Sequence, residues 1–277
     1  MSRRFRVVTD STSDVPTAWR ERFGIEVVPL TVLFGNESFR DRVDLSDDEF
    51  FSRLRGASKL PTTSAPAPGD FAAVYDRLSR ECDGVISIHL GGNLSGTVDS
   101  ARLGAQAVDG FPVHVVDSRS VTMCVGFLSR LAAESTSLEE AVQRVEERVP
   151  RLRILALLDT LRYLEMGGRV TRAQALVGTV LDVKPIMGVA EGRISALDRV
   201  RTRRKALPRL VELFHQDEPV ERVAVMHAEA PEEAEQLRAR LAEGLPENVE
   251  IEMSQIGPVL ATHTGPGAVG IAYIKAG

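Results

Sequence analysis

The chain has 277 residues, a hydrophobic fraction of 43% and a formal net charge of −5 at neutral pH. That length allows two packed cores of ordinary domain size. Basic residues are scattered along an acidic chain, which argues against a nucleic-acid surface. Two cysteines, Cys82 and Cys124, are too few for a disulfide framework and have no metal-ligand spacing. No apolar stretch approaches membrane-spanning length. We therefore expect a cytoplasmic protein with two domains, no metal, no nucleic-acid partner and no integral membrane segment.

The first half of the chain alternates strand-like and helix-like runs. Residues 5–9 are rich in β-formers, and residues 16–23 have helical spacing before Gly24, a plausible helix stop. Later, residues 84–90 read as a buried strand and residues 95–108 as the helix after it. This alternation predicts a doubly wound α/β domain with a mostly parallel sheet over residues 1–150.

The pattern changes from about Arg151. Strand-like runs occur at residues 154–158, 184–189, 193–197, 222–226 and 249–253, between helical stretches. The segment Gly188-Val189-Ala190-Glu191-Gly192 predicts a β-hairpin, which a purely parallel sheet does not contain. We expect residues 151–277 to form an α+β domain with a mixed sheet.

Short segments rich in hydroxyl groups or glycine follow several of the apolar runs. They are Thr9-Asp10-Ser11-Thr12-Ser13-Asp14, Pro61-Thr62-Thr63-Ser64, Gly91-Gly92-Asn93-Leu94-Ser95-Gly96-Thr97 and Thr262-His263-Thr264-Gly265-Pro266-Gly267. A hydroxyl or a backbone N–H beyond a strand end is a neutral donor that holds an anion at little desolvation cost. Together these segments predict one pocket for an anionic headgroup.

In order and spacing, these segments resemble the DegV family of bacterial fatty-acid-binding proteins. The resemblance covers nearly the whole chain, because it continues through Val115-Val116-Asp117-Ser118, Leu158-Asp159-Thr160-Leu161 and Gly167-Gly168-Arg169. It implies a lipid site between the two domains. It also implies a carrier that binds a long-chain fatty acid in a buried tunnel, with no other cofactor. The carrier would present the carboxylate to a separate ATP-dependent fatty-acid kinase, which forms an acyl phosphate for phospholipid synthesis.

The resemblance also implies roles for individual residues. Thr63, Ser95 and His263 are expected to bind the carboxylate, with backbone N–H groups of the 91–96 loop around it. Arg169 and Arg201 are expected at the ligand mouth, where they dock the kinase subunit. Residues expected to shape the site from nearby are Thr9, Asp10, Ser11, Ser64, Gly92, Asn93, Gly96 and Thr262. This chain departs from the family pattern at Gly91-Gly92-Asn93, where relatives commonly carry Ser-Ser-Gly, and at Ala65, where glutamine is usual.

The sequence pattern alone predicts the structural setting of three groups of residues. His263 lies before a Gly-Pro-Gly bend, which predicts an exposed loop. The resemblance adds that this histidine lies near the carboxylate, where it would lend either positive charge or hydrogen bonding. His89, near the glycine-rich loop, is expected to be structural. The basic residues 203–205 are expected to be a solvated helix start.

Two alternative functions remain open at this stage. Ser95 or Thr9 is a possible nucleophile of an acyl hydrolase or transferase, with His263 as base and Asp10 or Asp117 to orient it. The same donor loops also suit a sensor of phosphometabolites or other oxyanions. The chain has no phosphate-binding Walker loop and no GxSxG nucleophile elbow, so we expect no self-contained enzyme. The lipid carrier is the function that the resemblance implies.

Overall fold

The computed structural model describes residues 5–169 and 183–277. The elements of the first half are β1 (Arg6–Asp10), α1 (Thr17–Phe23), β2 (Glu26–Val28), β3 (Thr31–Phe34), β4 (Glu37–Arg40), α2 (Asp47–Gly56), β5 (Thr62–Ser64), α3 (Pro68–Leu78), β6 (Val85–His89), α4 (Thr97–Gln106), β7 (Val113–Asp117), α5 (Met123–Ala133) and α6 (Leu138–Glu146). Those of the second half are β8 (Leu152–Leu157), α7 (Arg162–Met166), β9 (Lys184–Ala190), β10 (Arg193–Val200), α8 (Arg203–His215), β11 (Val220–His227), α9 (Pro231–Ala242), β12 (Ile251–Gln255), α10 (Pro258–Thr264) and β13 (Val269–Lys275).

The first half contains the predicted doubly wound sheet. Its strand order is β2-β1-β6-β7, and all neighbouring strands are parallel. Successive side chains of β1 point to opposite faces, so Val7 joins the core under α5 while Val8 joins the core under α3 and α4. Helices therefore cover both faces, and the predicted fold class of this half is confirmed.

A separate three-stranded antiparallel sheet, in the order β4-β3-β5, carries one of the polar segments. Strand β5 is at its edge and, among the strands that the structure describes, pairs with β3 alone, with Thr63 opposite Val32. The prolines around β5 exclude it from a helix or a central strand, and an edge strand tolerates them because one side needs no ladder hydrogen bonds.

The second half forms the predicted mixed sheet, in the order β10-β9-β8-β13-β11-β12. The hairpin of β9 and β10 is antiparallel, as predicted, while β11 and β12 are parallel. The sequence did not predict the central strand β13. Most of its residues are buried, so it lacks the polar alternation of a half-exposed strand.

Helix α5 joins the two halves. Ten of its eleven residues are buried, and the helix contacts β1 and β6 on one side and β8, β11 and β13 on the other. One hydrophobic cluster consequently includes Ile88 from the parallel sheet and Met226 from the mixed sheet. The predicted domain boundary near residue 150 falls between α6 and β8. Within the described ranges, no helix is long and apolar enough to span a membrane.

Gly104 allows close packing of α4 against α3. A Cβ atom at this position would lie 2.6 Å from Cβ of Phe71 and 2.8 Å from the carbonyl oxygen of Pro68. We expect Gly104→Ala to lower the free energy of unfolding in urea by about 1–3 kcal/mol through overpacking. Gly56→Ala is the matched control, because a Cβ there meets no atom within 4 Å. Equal stability of the two variants would contradict this packing.

Candidate functional site

An apolar cavity lies between the parallel and mixed sheets. Leu90 and Val121 line it from the first half, and Ile154, Met187 and Met226 line it from the second. Its empty volume, counted out to the open mouth, is about 1090 Å³. Most lining side chains are aliphatic, and the polar ones among the described residues are Thr63, Ser64, Ser95, Thr122, Arg169, His263 and Thr264. All three residues predicted to bind a carboxylate therefore line this one cavity.

Thr63 and His263 form the central polar contact of the cavity. Oγ1 of Thr63 lies 2.9 Å from Nε2 of His263, although the two residues are 200 positions apart. The prediction of an exposed loop around His263 was wrong, because the residue lies in the last turn of α10 and its ring is partly buried. Pro258 is compatible with the first turn of that helix, and the Gly-Pro-Gly bend follows the helix from Gly265 onward.

His263 is neutral at physiological pH. Burial, with a further contribution from the Arg169 guanidinium, lowers the pKa of His263 from 6.5 to about 4. The expectation that this histidine lends positive charge is therefore wrong for the protein without ligand, and its hydrogen bonding to a carboxylate stays a prediction. Arg169 supplies the positive charge, since it is the one charged side chain among the described residues that line the cavity.

No carboxylate orients His263 as a catalytic base within the described structure. Its Nδ1 atom is buried without a hydrogen-bond partner there and faces Gly167, where a Cβ atom would lie only 2.3 Å away. Asp10 pairs instead with His89, at 3.0 Å. Asp117 accepts the backbone N–H groups of Gly92 and Arg119. The arrangement thus lacks the oriented base on which acyl hydrolysis by a triad depends.

The glycine-rich loop offers the Ser95 hydroxyl to the cavity. Oγ of Ser95 lies 2.9 Å from Oγ1 of Thr97, where α4 begins. The backbone N–H groups of Gly91, Gly92, Leu94 and Ser95 already donate to acceptors within the protein. The expectation that the amides of this loop surround a carboxylate is therefore wrong for these four groups.

Thr9, Asp10 and Ser11 support the cavity wall from outside the lining. Thr9 donates its hydroxyl to the backbone of β6. Asp10 accepts the backbone N–H of Leu90 at 3.0 Å, and Ser11 accepts that of Leu30 at the same distance. Because Leu30 and Leu90 both line the cavity, these polar groups fix where its wall runs.

The remaining predicted residues separate into those at the cavity and those away from it. Ser64 lines the cavity beside Thr63, whereas Thr262 is buried in α10 and donates its hydroxyl to a backbone carbonyl. Gly92, Asn93 and Gly96 are exposed. Arg169 lines the cavity and donates to the carbonyl oxygen of Gly167 at 2.5 Å. Arg201 is exposed before α8, outside the described cavity lining.

His89 belongs to a buried hydrogen-bond chain, as expected of a structural residue. Its Nε2 atom lies 2.7 Å from the Ser87 hydroxyl, which in turn lies 2.7 Å from the hydroxyl of Tyr75. The His89 side chain is fully buried. Together with its contact to Asp10, this chain connects β1, β6 and α3.

Arg203 contributes to the site in a way the sequence did not predict. We expected a solvated residue, but its guanidinium binds Asp159 at 2.6 Å, Glu233 and the carbonyl oxygen of Gly267. These contacts tie the bend after α10 to the segment before α7 and to the first turn of α9. No local signal identifies this role, because Arg203 lies far in the sequence from Asp159, Glu233 and Gly267.

Comparison with known proteins places this chain in a family. The family model "DegV: Uncharacterised protein, DegV family" matches residues 4–276. Protein DegV of Bacillus subtilis is 37% identical over 276 residues, which cover 96% of this chain and 98% of that protein. The fatty-acid-binding DegV family protein of Thermus thermophilus has a TM-score of 0.90 at 38% identity and covers 99% of this chain and 100% of its own. A stearic-acid-binding protein of Eubacterium ventriosum has a TM-score of 0.89 at 26% identity, with 98% of each chain covered. The chain therefore belongs to the DegV family.

Proposed function

We propose that this protein is a cytoplasmic fatty-acid carrier. It binds a long-chain fatty acid in the cavity between its sheets and needs no other cofactor. It presents the carboxylate to a separate ATP-dependent fatty-acid kinase subunit, which forms an acyl phosphate for phospholipid synthesis. The observation that carries the proposal is the contact of Thr63 with a neutral His263 at the wall of an aliphatic cavity. The fatty-acid-binding relatives from Thermus thermophilus and Eubacterium ventriosum support it.

The acyl tail supplies most of the binding free energy. Burying the roughly 14 methylene groups of a sixteen-carbon chain contributes roughly 11 kcal/mol, at ~0.8 kcal/mol per group. Association costs roughly 4–15 kcal/mol in lost freedom of motion. The two terms are of similar size, so tight binding requires a cavity that is already formed. Its walls are fixed by both sheets, and Leu30 and Leu90 are held by buried hydrogen bonds.

The polar residues of the cavity orient the fatty acid by binding its carboxylate. An ionised carboxylate loses hydration on burial, and unpaired burial is strongly unfavourable. Thr63, Ser95 and His263 offer neutral hydrogen-bonding groups, while the Arg169 guanidinium offers the compensating charge. A carboxylate held there would lie beside Arg169, and we propose that Arg169 and the exposed Arg201 contact acidic groups of a kinase or the phosphate being transferred. The unoriented His263 and the absence of a triad carboxylate in the described structure support a carrier that leaves catalysis to its partner.

Reconstitution with a kinase tests this function. The purified protein is denatured and the small molecules it releases are identified by mass spectrometry. A second portion is loaded with palmitate and mixed with the ATP-binding kinase subunit and ATP. We expect one equivalent of long-chain fatty acid from the first portion and ATP-dependent acyl phosphate from the second.

The two steps of this experiment fail separately. A protein that neither carries nor takes up a fatty acid would overturn the carrier role. A loaded protein that yields no acyl phosphate with an active kinase subunit would leave the carrier role standing and remove the kinase step.

Replacement of the Thr63 hydroxyl tests the headgroup site. Thr63→Val keeps the size of the side chain and removes a donor to the carboxylate. A hydrogen bond to a charged group contributes about 1.5–3 kcal/mol, so we expect roughly ten- to hundredfold weaker binding in a fluorescent fatty-acid displacement assay. Thr62→Val is the control, because Thr62 is exposed on the same strand and lies outside the described lining. If both variants bound as tightly as the unmodified protein, Thr63 would have no part in carboxylate binding.

A further inference from the structure

A second cavity, this one polar, lies behind the wall of the acyl cavity. Its lining includes three aspartates, Asp14, Asp41 and Asp47, and two arginines, Arg20 and Arg42. With all five side chains ionised, the lining carries one net negative charge. The two cavities are separated by a wall that contains Leu30 and Thr122: the backbone N–H of Asp41 donates to the carbonyl oxygen of Leu30, and the Thr122 hydroxyl donates to Asp14.

Arg42 satisfies two of the three aspartates. Its guanidinium binds Asp14 at 3.0 Å and makes two bonds to Asp47, at 2.9 and 3.0 Å. Asp14 also accepts the backbone N–H of Gly257 and the hydroxyl of Thr122. Arg42 further donates to the carbonyl oxygen of Gln255. None of these hydrogen bonds reaches Asp41, although the nearby Arg42 charge acts to lower its pKa.

Asp41 is left without a counter-group. Its exposed fraction is only 1%, yet neither carboxylate oxygen has a hydrogen-bond partner in the described structure. Burial raises the pKa of Asp41 to about 7, against the opposing effects of the Ser11 hydroxyl and of Arg42. Ser11 lies close enough to act electrostatically but is not placed to donate a hydrogen bond of normal geometry. A buried carboxylate in this state lacks the donors that normally offset its lost hydration.

We propose that the polar cavity beside Asp41 binds a primary ammonium group. An ammonium has three N–H donors, two of which match the two unpartnered oxygens of Asp41, and the hydroxyls of Ser11 and Ser13 line the same cavity for the third. A single positive charge also balances the net charge that the lining carries when Asp41 is ionised. A metal ion fits less well, because the described residues contain no group of three His, Cys, Asp or Glu side chains arranged to hold one. This site is separate from the acyl cavity and does not depend on fatty-acid binding.

The test compares two cations of equal charge on lipid-free protein. Methylammonium has N–H donors and tetramethylammonium has none, so only the first satisfies Asp41. Thermal unfolding is followed at constant ionic strength as each chloride salt is added. At about ten times its dissociation constant, methylammonium should raise Tm by about 3 °C. With tetramethylammonium chloride, Tm should equal the value measured in sodium chloride at the same ionic strength.

Two variants identify the residue responsible. Asp41→Asn removes the charge without changing the shape of the side chain, and it should weaken methylammonium binding at least tenfold. Asp48→Asn is the control, because Asp48 is exposed on α2. Equal effects of the two cations on the unmodified protein would overturn the proposal, whether or not Asp41→Asn folds. Unchanged methylammonium binding by a folded Asp41→Asn protein would also overturn it.

Discussion

The packing of α5 against both sheets is the constraint on which the rest of the structure depends. Because this helix is buried along nearly its whole length, the parallel and mixed sheets share one hydrophobic cluster and are held at a fixed separation. Helix α5 fills part of the space between the sheets. The apolar cavity lies beyond its N-terminus, where Val121 and Thr122 line the wall just before the helix begins. A cavity bounded in this way keeps its shape without a ligand, and a preformed cavity makes tail burial effective.

Burial between the two sheets also sets the charge of the groups at the polar end of the cavity. Burial keeps His263 neutral, so the site contains hydrogen-bonding groups and only one permanent charge, on Arg169. Since an unfolded histidine titrates near 6.5 and the folded one near 4, the unfolded state binds more protons between these values. His263 therefore lowers the stability of the protein without ligand as the pH falls through this range. A bound carboxylate acts in the opposite direction, because its negative charge favours the protonated imidazole.

Sequence patterns predicted the elements whose burial follows a simple period. The alternation of β1 and β6 with helices gave the parallel sheet, and Gly188 to Gly192 gave the hairpin. Strand β13 was not predicted from the sequence because it is buried on both faces and shows no polar alternation. Helix α10 was not predicted because it has only seven residues, and its last three, Thr262, His263 and Thr264, are all polar, so no helical period is visible. The meeting of Thr63, Ser95 and His263 at one cavity came from family resemblance, since no local pattern links residues so far apart. The neutral state of His263 and the unpartnered Asp41 depend on tertiary burial, which local sequence does not encode.

The state of His263 tests the central claim most directly. Its ring resonances can be titrated by NMR in lipid-free protein and again after loading with palmitate, with His114, which pairs with Glu146 on the surface, as an internal control. The proposed carboxylate site predicts a His263 pKa near 4 without lipid and a higher value with lipid, while the ring resonances of His114 do not respond to loading. A His263 pKa near 6.5 without lipid, or one that loading leaves unchanged, would contradict the placement of the carboxylate beside Thr63 and His263.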